Sequence, residues 1–270
     1  MIAEFRPISE WPKPARAKIV GVFADIDDTI TTDGRVGAAA YAAMERLRGA
    51  GLLFVPITGR PAGWCDMIAR TWPVDGVVGE NGAFYFSYDQ SARRMRRAYA
   101  MDVETRRRNR VRLDTLQTKI LNAVPGAGIA ADQHYREADL AIDFCEDVPP
   151  LSDRDIDRIV EIFEQNGATA KVSSIHVNGW FGDYDKLTMT AQMMRALFDV
   201  DLDAQRDRYV FIGDSPNDAP MFDFFPDAVG VANLRAFQDR CRALPRWITT
   251  APGGTGFVEM TECLLKTNTG

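Results

Sequence analysis

The stretch Ile19-Val20-Gly21-Val22-Phe23-Ala24-Asp25-Ile26-Asp27-Asp28-Thr29 decides the fold. Its first six residues form an apolar run rich in β-branched side chains, the pattern of a strand buried in a parallel sheet. Three carboxylates arrive where that strand should end. Alternation along a strand puts Asp25 and Asp27 on one face and Ile26 on the other. Two acids side by side repel each other unless a cation or a shared proton intervenes. In open α/β sheets the carboxyl ends of the strands are also where ligands bind. Read alone, the same acids fit a capped turn equally well.

Other stretches repeat the pattern. Val55-Pro56-Ile57-Thr58-Gly59-Arg60 is a second apolar strand, ending in a small hydroxyl residue. Arg208-Tyr209-Val210-Phe211-Ile212-Gly213-Asp214-Ser215-Pro216-Asn217-Asp218 is a third, ending in a new acid cluster. Lys186 lies between them in sequence, just before a helical pattern over residues 187–198. Singly, Lys186 reads as a solvated helix-start residue, Thr58 as an ordinary strand end and Asp214 to Asp218 as a turn.

Together, the DxD motif at Asp25 and Asp27, the strand-end Thr58, the Lys186 motif and the GDxxND motif at Asp214 to Asp218 resemble the haloacid dehalogenase superfamily of phosphohydrolases. The match spans nearly the whole chain. The resemblance implies a Rossmann-like, doubly wound parallel α/β core with an inserted α+β cap domain. That is the type IIB arrangement of Cof-like, sucrose-phosphatase-like and mannosyl-3-phosphoglycerate phosphatase groups. Many members carry Gly where this chain has Asp28, so DIDDT departs from DxDGT and adds a negative charge. The approach Trp180-Phe181-Gly182-Asp183-Tyr184-Asp185 to Lys186 is similar to the GWDK stretch of phosphomannomutases, which keeps a mutase as an alternative. The arginine-bearing cap motif of those mutases is not visible here.

The chemistry follows from residue type. A phosphate monoester dianion repels nucleophiles, so charge must be neutralised and the attacking group placed in line. A carboxylate can be that nucleophile, and the resemblance assigns the role to Asp25. Mg²⁺ prefers oxygen ligands in octahedral geometry. Asp25 and Asp214 would supply carboxylates and Asp27 a carbonyl, with Asp218 beside them in the metal set. The Asp27 side chain is then free for general acid/base work. Thr58, Gly59 N–H and Lys186 would hold phosphoryl oxygens. Asn217 and Asp218 are expected to hold water or orient Lys186, with Arg60 and Asn81 as further substrate contacts. Asn81 reads equally well as part of a plain turn. His176, Asn178 and Trp180 should come near the cleft, with His176 a structural residue. A non-catalytic phospho-acceptor module is the reading from another class, and an acid/base two residues from the nucleophile speaks against it.

Composition sets limits. The chain has 270 residues, 46% hydrophobic and 26% charged, as in an ordinary globular protein of one or two domains. A net charge of −6 argues against broad nucleic-acid affinity. Cys65, Cys145, Cys241 and Cys263 form no CxxC pair, which suggests neither zinc nor a disulfide framework. The first residues lack a basic start followed by an apolar core, and no apolar run reaches membrane-spanning length. A cytoplasmic monomer acting on a small phosphorylated molecule is expected, without nucleic-acid or membrane partners.

Residues 1–17 read as an irregular lead-in. Helices are expected over 36–48 and 61–71, and a third core strand over 74–78. A strand over 84–88 and an Arg-dense stretch over 93–112 lead into a helix ending near 124. Strands near 140–144, 170–173 and 174–177 flank a helix over 153–166. The simplest organisation is a core of residues 1–84 and 184–270 with an insert of residues 85–183. Arg93-Arg94-Met95-Arg96-Arg97 and Arg106-Arg107-Arg108 read mostly as a solvated face. Core strands near 209–212, 228–231 and 246–249 complete the sheet.

Overall fold

The computed structural model describes residues 5–266. The chain opens with β1 (Arg6–Pro7) and α1 (Lys13–Arg16), then alternates through β2 (Gly21–Ala24), α2 (Ala38–Gly49), β3 (Leu53–Pro56), α3 (Ala62–Thr71) and β4 (Val77–Gly79). A hairpin of β5 (Phe84–Asp89) and β6 (Arg94–Tyr99) follows. Next come α4 (Val103–Ala123), β7 (Gly128–Ile129), β8 (Asp139–Asp143), α5 (Asp153–Gln165), β9 (Thr169–Val172) and β10 (His176–Trp180). The last segment runs through α6 (Lys186–Phe198), α7 (Leu202–Gln205), β11 (Tyr209–Gly213), α8 (Ala219–Phe224), β12 (Val229–Gly230), β13 (Trp247–Ile248) and α9 (Gly253–Leu265).

The central sheet has six parallel strands in the order β1-β13-β12-β11-β2-β3. Alternate residues of its middle strands enter different cores. Val22, Phe54, Val210 and Ile212 join the cluster with α2, α3 and α9, whereas Phe23, Val55, Tyr209 and Phe211 join the one with α6, α7 and α8. Helices therefore cover both faces, which is why the strands read as continuous apolar runs rather than alternating ones. The sheet is doubly wound, as expected.

The sequence between β4 and α6 builds two antiparallel sheets, β4-β5-β6 and β7-β8-β10-β9. In the second, Leu140, Ile142 and Val177 pack beneath α4 and α5 in a core of their own. Phe84 and Phe86 of the hairpin instead join the core that holds α2, α3 and α9. Among the described residues, no helix is long and apolar enough to cross a membrane.

Three expectations change. The lead-in is ordered from Arg6 onward: β1 pairs in parallel with β13, and Ile8 and Trp11 are buried; residues 1–4 lie outside the described part. The Arg-dense stretch contains a strand, β6, paired along its length with β5. Of its arginines, Arg96 meets Asp89, Arg97 meets Asp66, and Arg106 lies over the Tyr99 ring. Among the described residues β4 pairs with the central sheet only through a parallel bridge between Ile57 and Val78, and otherwise pairs antiparallel with β5.

Candidate active site

The strand-end motifs meet at the carboxyl edge of the central sheet. β2 delivers Asp25, β3 runs into Thr58 and β11 delivers Asp214. Pairing of β2 between β3 and β11 fixes their register, and Asp25 N–H donates to Ile212 O at 2.9 Å. Asp28, which follows the DxD motif, has φ +54°. That left-handed conformation suits Gly, and Asp tolerates it better than most residues.

Lys186 is the first residue of α6, whose N-cap Asp185 forms a reciprocal capping box with Thr188. It is part of the helix instead of preceding it. Gly82, at φ +107°, allows the chain to pass against Asp185, because a Cβ there would lie 2.0 Å from Asp185 O. Lys186 Nζ then reaches Asp25 Oδ1 at 2.7 Å and Asp218 Oδ1 at 2.6 Å. Asp218 Oδ2 accepts from the N–H groups of Asp214 and Ser215. This close turn requires Gly213, where a Cβ would sit 2.3 Å from Asp218 Oδ2.

Asp25, Asp214 and Asp218 are all buried, and their carboxylate oxygens fall within 4.8 Å of one another. Three carboxylates against one ammonium leave two excess negative charges in a desolvated pocket. Burial, with Asp218 and Asp27 nearby, pushes the Asp25 carboxyl up to about 8 despite Lys186. Burial and Asp25 raise Asp214 as well. Lys186 is held above its ordinary range, as Asp218 and Asp25 outweigh its own burial. The donor set fits a hard divalent cation, which would cancel the excess charge through oxygen ligands.

The Asp27 carboxylate stands outside this group. Arg60 Nε donates to its two oxygens at 3.0 and 3.1 Å. Arg60 is buried, stacks over Trp64 and also meets Asp132 at 3.4 Å and Glu146 at 2.9 Å. Thr58 is buried, and its Oγ1 accepts from Arg60 N–H at 3.0 Å. Asn81 N–H donates to Thr58 O, and its buried side chain has no hydrogen-bond partner among the described residues; a Cβ on Gly59 would lie 3.2 Å from Asn81 Nδ2. Asn217 Oδ1 accepts from Ser215 Oγ at 2.8 Å.

Asp25, Asp27, Gly59, Arg60, Asp214 and Asn217 line a small cavity of about 20 Å³, with Thr58, Asn81, Lys186 and Asp218 outside that lining. Its opposite wall carries His176 and Asn178, as expected, and Arg136. Trp180 does not reach the cavity: it is buried and stacks on Tyr184. His176 Nε2 lies 2.9 Å from Glu146 Oε2. His176 and Arg60 hold the Glu146 carboxyl down to about 2.

Sequence reasoning missed Asp132, Arg136, Glu146, Asn233 and Glu80. Asn233 follows β12 and donates to Asp214 Oδ2 and Asp28 O, so a polar residue just beyond a core strand was an available signal. Arg136 pairs with Asp132 and Asp139 and donates to Gly59 O at 2.8 Å. Its spacings of four from Asp132 and three to Asp139 were the local cues.

Glu80 ties the insert to α3. Its Oε1 accepts from Ala62 and Glu137 N–H, and its Oε2 from Ala138 and Asp139 N–H. Burial and Asp139 push this carboxyl up to about 7, while Arg136 and backbone donors pull the other way. A Gln amide in either orientation would turn a donor toward two N–H groups. Glu80→Gln is therefore expected to destabilise the chain by about 2–3 kcal/mol in urea denaturation, the cost of two unmade buried hydrogen bonds.

No family model and no curated protein sequence matches the chain. Solved structures do. A Thermoplasma acidophilum protein superposes with a TM-score of 0.68 at 16% identity, over 91% of this chain and 98% of its own. The sucrose-phosphatase of Synechocystis sp. PCC6803, solved with sucrose and phosphate, gives 0.61 at 16% identity over 91% and 97%. A HAD subclass IIB sugar phosphatase gives 0.60 at 14% identity over 90% and 97%. The chain shares the fold of these solved structures, a doubly wound parallel core interrupted by an α+β segment between Thr58 and Lys186.

Proposed function

We propose that the chain is a Mg²⁺-dependent phosphatase of small phosphorylated metabolites, with sugar phosphates and phosphoglycerate-type compounds as its substrate class. The observation that carries the reading is the bridge from Lys186 to Asp25 and Asp218, with Asp214 in the same buried group. Asp25 attacks phosphorus while the bond to the leaving oxygen breaks, and Asp27 gives that oxygen its proton. Water then attacks the aspartyl-phosphate, Asp27 takes the water's proton, and inorganic phosphate leaves with Asp25 restored. Thr58 Oγ1, Gly59 N–H and Lys186 hold the phosphoryl oxygens, while Arg60, Asn81 and Asn217 contact substrate. Asp25, the Asp27 carbonyl, Asp214 and Asp218 would hold Mg²⁺, which supplies charge neutralisation for in-line transfer.

Residues 1–84 and 184–270 serve as the catalytic core and residues 85–183 as a cap, in a cytoplasmic monomer. The cap closes over the substrate, excludes bulk water and sets specificity. Phosphate release from a panel of sugar phosphates and phosphoglycerates tests the reading. Release with Mg²⁺ and its loss with a chelator are expected. Isomerisation of a hexose phosphate, given a bisphosphate primer and without phosphate release, would establish a mutase instead. A long-lived phosphoenzyme without turnover would establish a phospho-acceptor.

A further inference from the structure

The chemistry above uses the floor of the cleft and leaves one side of its roof without a role. Ala170 and Val172 of β9 pack with the α4 and α5 core, so Lys171 between them faces the other way, toward the central sheet. Lys171 pairs in register with Asn178, which lines the catalytic cavity. β9 also packs against Pro216–Asp218, the turn that carries Asn217 and Asp218. Lys171 is the one Lys or Arg in β8, β9 and β10. It is half-buried and has no hydrogen bond or ion pair among the described residues.

Beside Lys171 opens a groove of about 470 Å³, also lined by Asn217, Arg240 and Arg242. Asn217 borders both this groove and the catalytic cavity. The groove has the volume of a small-molecule site, whereas the cavity has room for about one water. A leaving group attached to a phosphoryl at Asp25 needs such an adjoining space. Arg240 is committed to Asp153 and Asp157, each at 3.6 Å. Arg242 also has no partner among the described residues, but it is exposed and its charge is screened by water and salt. Glu164 and Asp223 also line the groove, but both are exposed, and water and salt screen them more than half-buried Lys171.

We propose that this groove receives the alcohol part of the substrate, and that Lys171 selects for a second anionic group on it, a carboxylate or a further phosphate. The inference rests on the phosphatase reading and narrows its substrate class. A half-buried cation without a partner gains more from an anionic ligand than from a neutral one, since the ligand replaces the hydration the site has removed.

The test is phosphate release with Mg²⁺ from two matched pairs, 3-phosphoglycerate against glycerol 3-phosphate and fructose 1,6-bisphosphate against fructose 6-phosphate, with p-nitrophenyl phosphate as a general probe. The wild-type chain is expected to prefer the member with the second anionic group in at least one pair by about tenfold in kcat/KM. The pair that shows the preference identifies the anion. Lys171→Met should erase the preference, mainly through KM, and Lys171→Arg should keep it. Turnover of p-nitrophenyl phosphate with no preference in either pair, or a preference that survives Lys171→Met, overturns the inference and leaves the phosphatase standing. No release from any compound overturns both.

Discussion

Asp25→Asn is expected to lower phosphate release by about 10⁴-fold or more on every substrate, because an amide cannot serve as the nucleophile that splits the reaction into two steps. The substitution keeps shape and removes one charge from a buried group of three acids. Burial already pushes the Asp25 carboxyl up to about 8, so the neutral amide relieves repulsion from Asp218 and Asp27. It also weakens one of the two contacts of Lys186, while the 2.6 Å contact with Asp218 stays. The variant should therefore fold as well as the parent. The discriminating readout is thermal: Mg²⁺ should raise the Tm of the wild-type chain by binding the native state, and raise that of Asp25→Asn much less. Loss of activity with the Mg²⁺ shift intact would remove Asp25 from the metal site while leaving it the nucleophile. Retained activity would refute its catalytic role.

What was legible in the sequence was what has a local signature. β2, β3 and β11 are buried on both faces, so they appear as unbroken apolar runs, and the acids at their ends stand out by contrast. Gly49, Gly51 and Pro61 punctuate α2, β3 and α3 as helix stops and starts do. β6 was hidden because its arginines break any alternation; Arg97 lays its guanidinium over the Phe86 ring and so takes a strand position despite its charge. β1 has two residues and owes its existence to β13, more than 200 positions away. The roof of the cleft was hidden for a similar reason. Glu146 reaches Arg60 across 86 positions and Arg136 reaches Gly59 across 77, and contacts at that separation leave no pattern in a window of sequence.

Lys186→Met should cost both activity and stability, and the two losses have separable causes. Lys186 is buried between two carboxylates at 2.7 and 2.6 Å. Removing the ammonium strands Asp25 and Asp218 in a desolvated pocket, and breaking a buried pair in this way typically costs about 3–5 kcal/mol. The loss should be larger without Mg²⁺ than with it, because a cation bound by the same acids restores part of the missing positive charge. Adding Asp218→Asn to Lys186→Met removes one of the stranded charges. The double variant should then be more stable than Lys186→Met alone, a non-additivity that measures the buried pair directly in urea denaturation. Phosphate release should stay low in both, by about 10³-fold or more, since nothing replaces the fixed positive charge beside the phosphoryl oxygens. Recovery of activity along with stability would mean that Lys186 only holds the loops in place. Recovery of stability alone would show that the lost activity does not come from unfolding, and Asp218→Asn measured by itself separates the share of the metal set from that of the Lys186 charge.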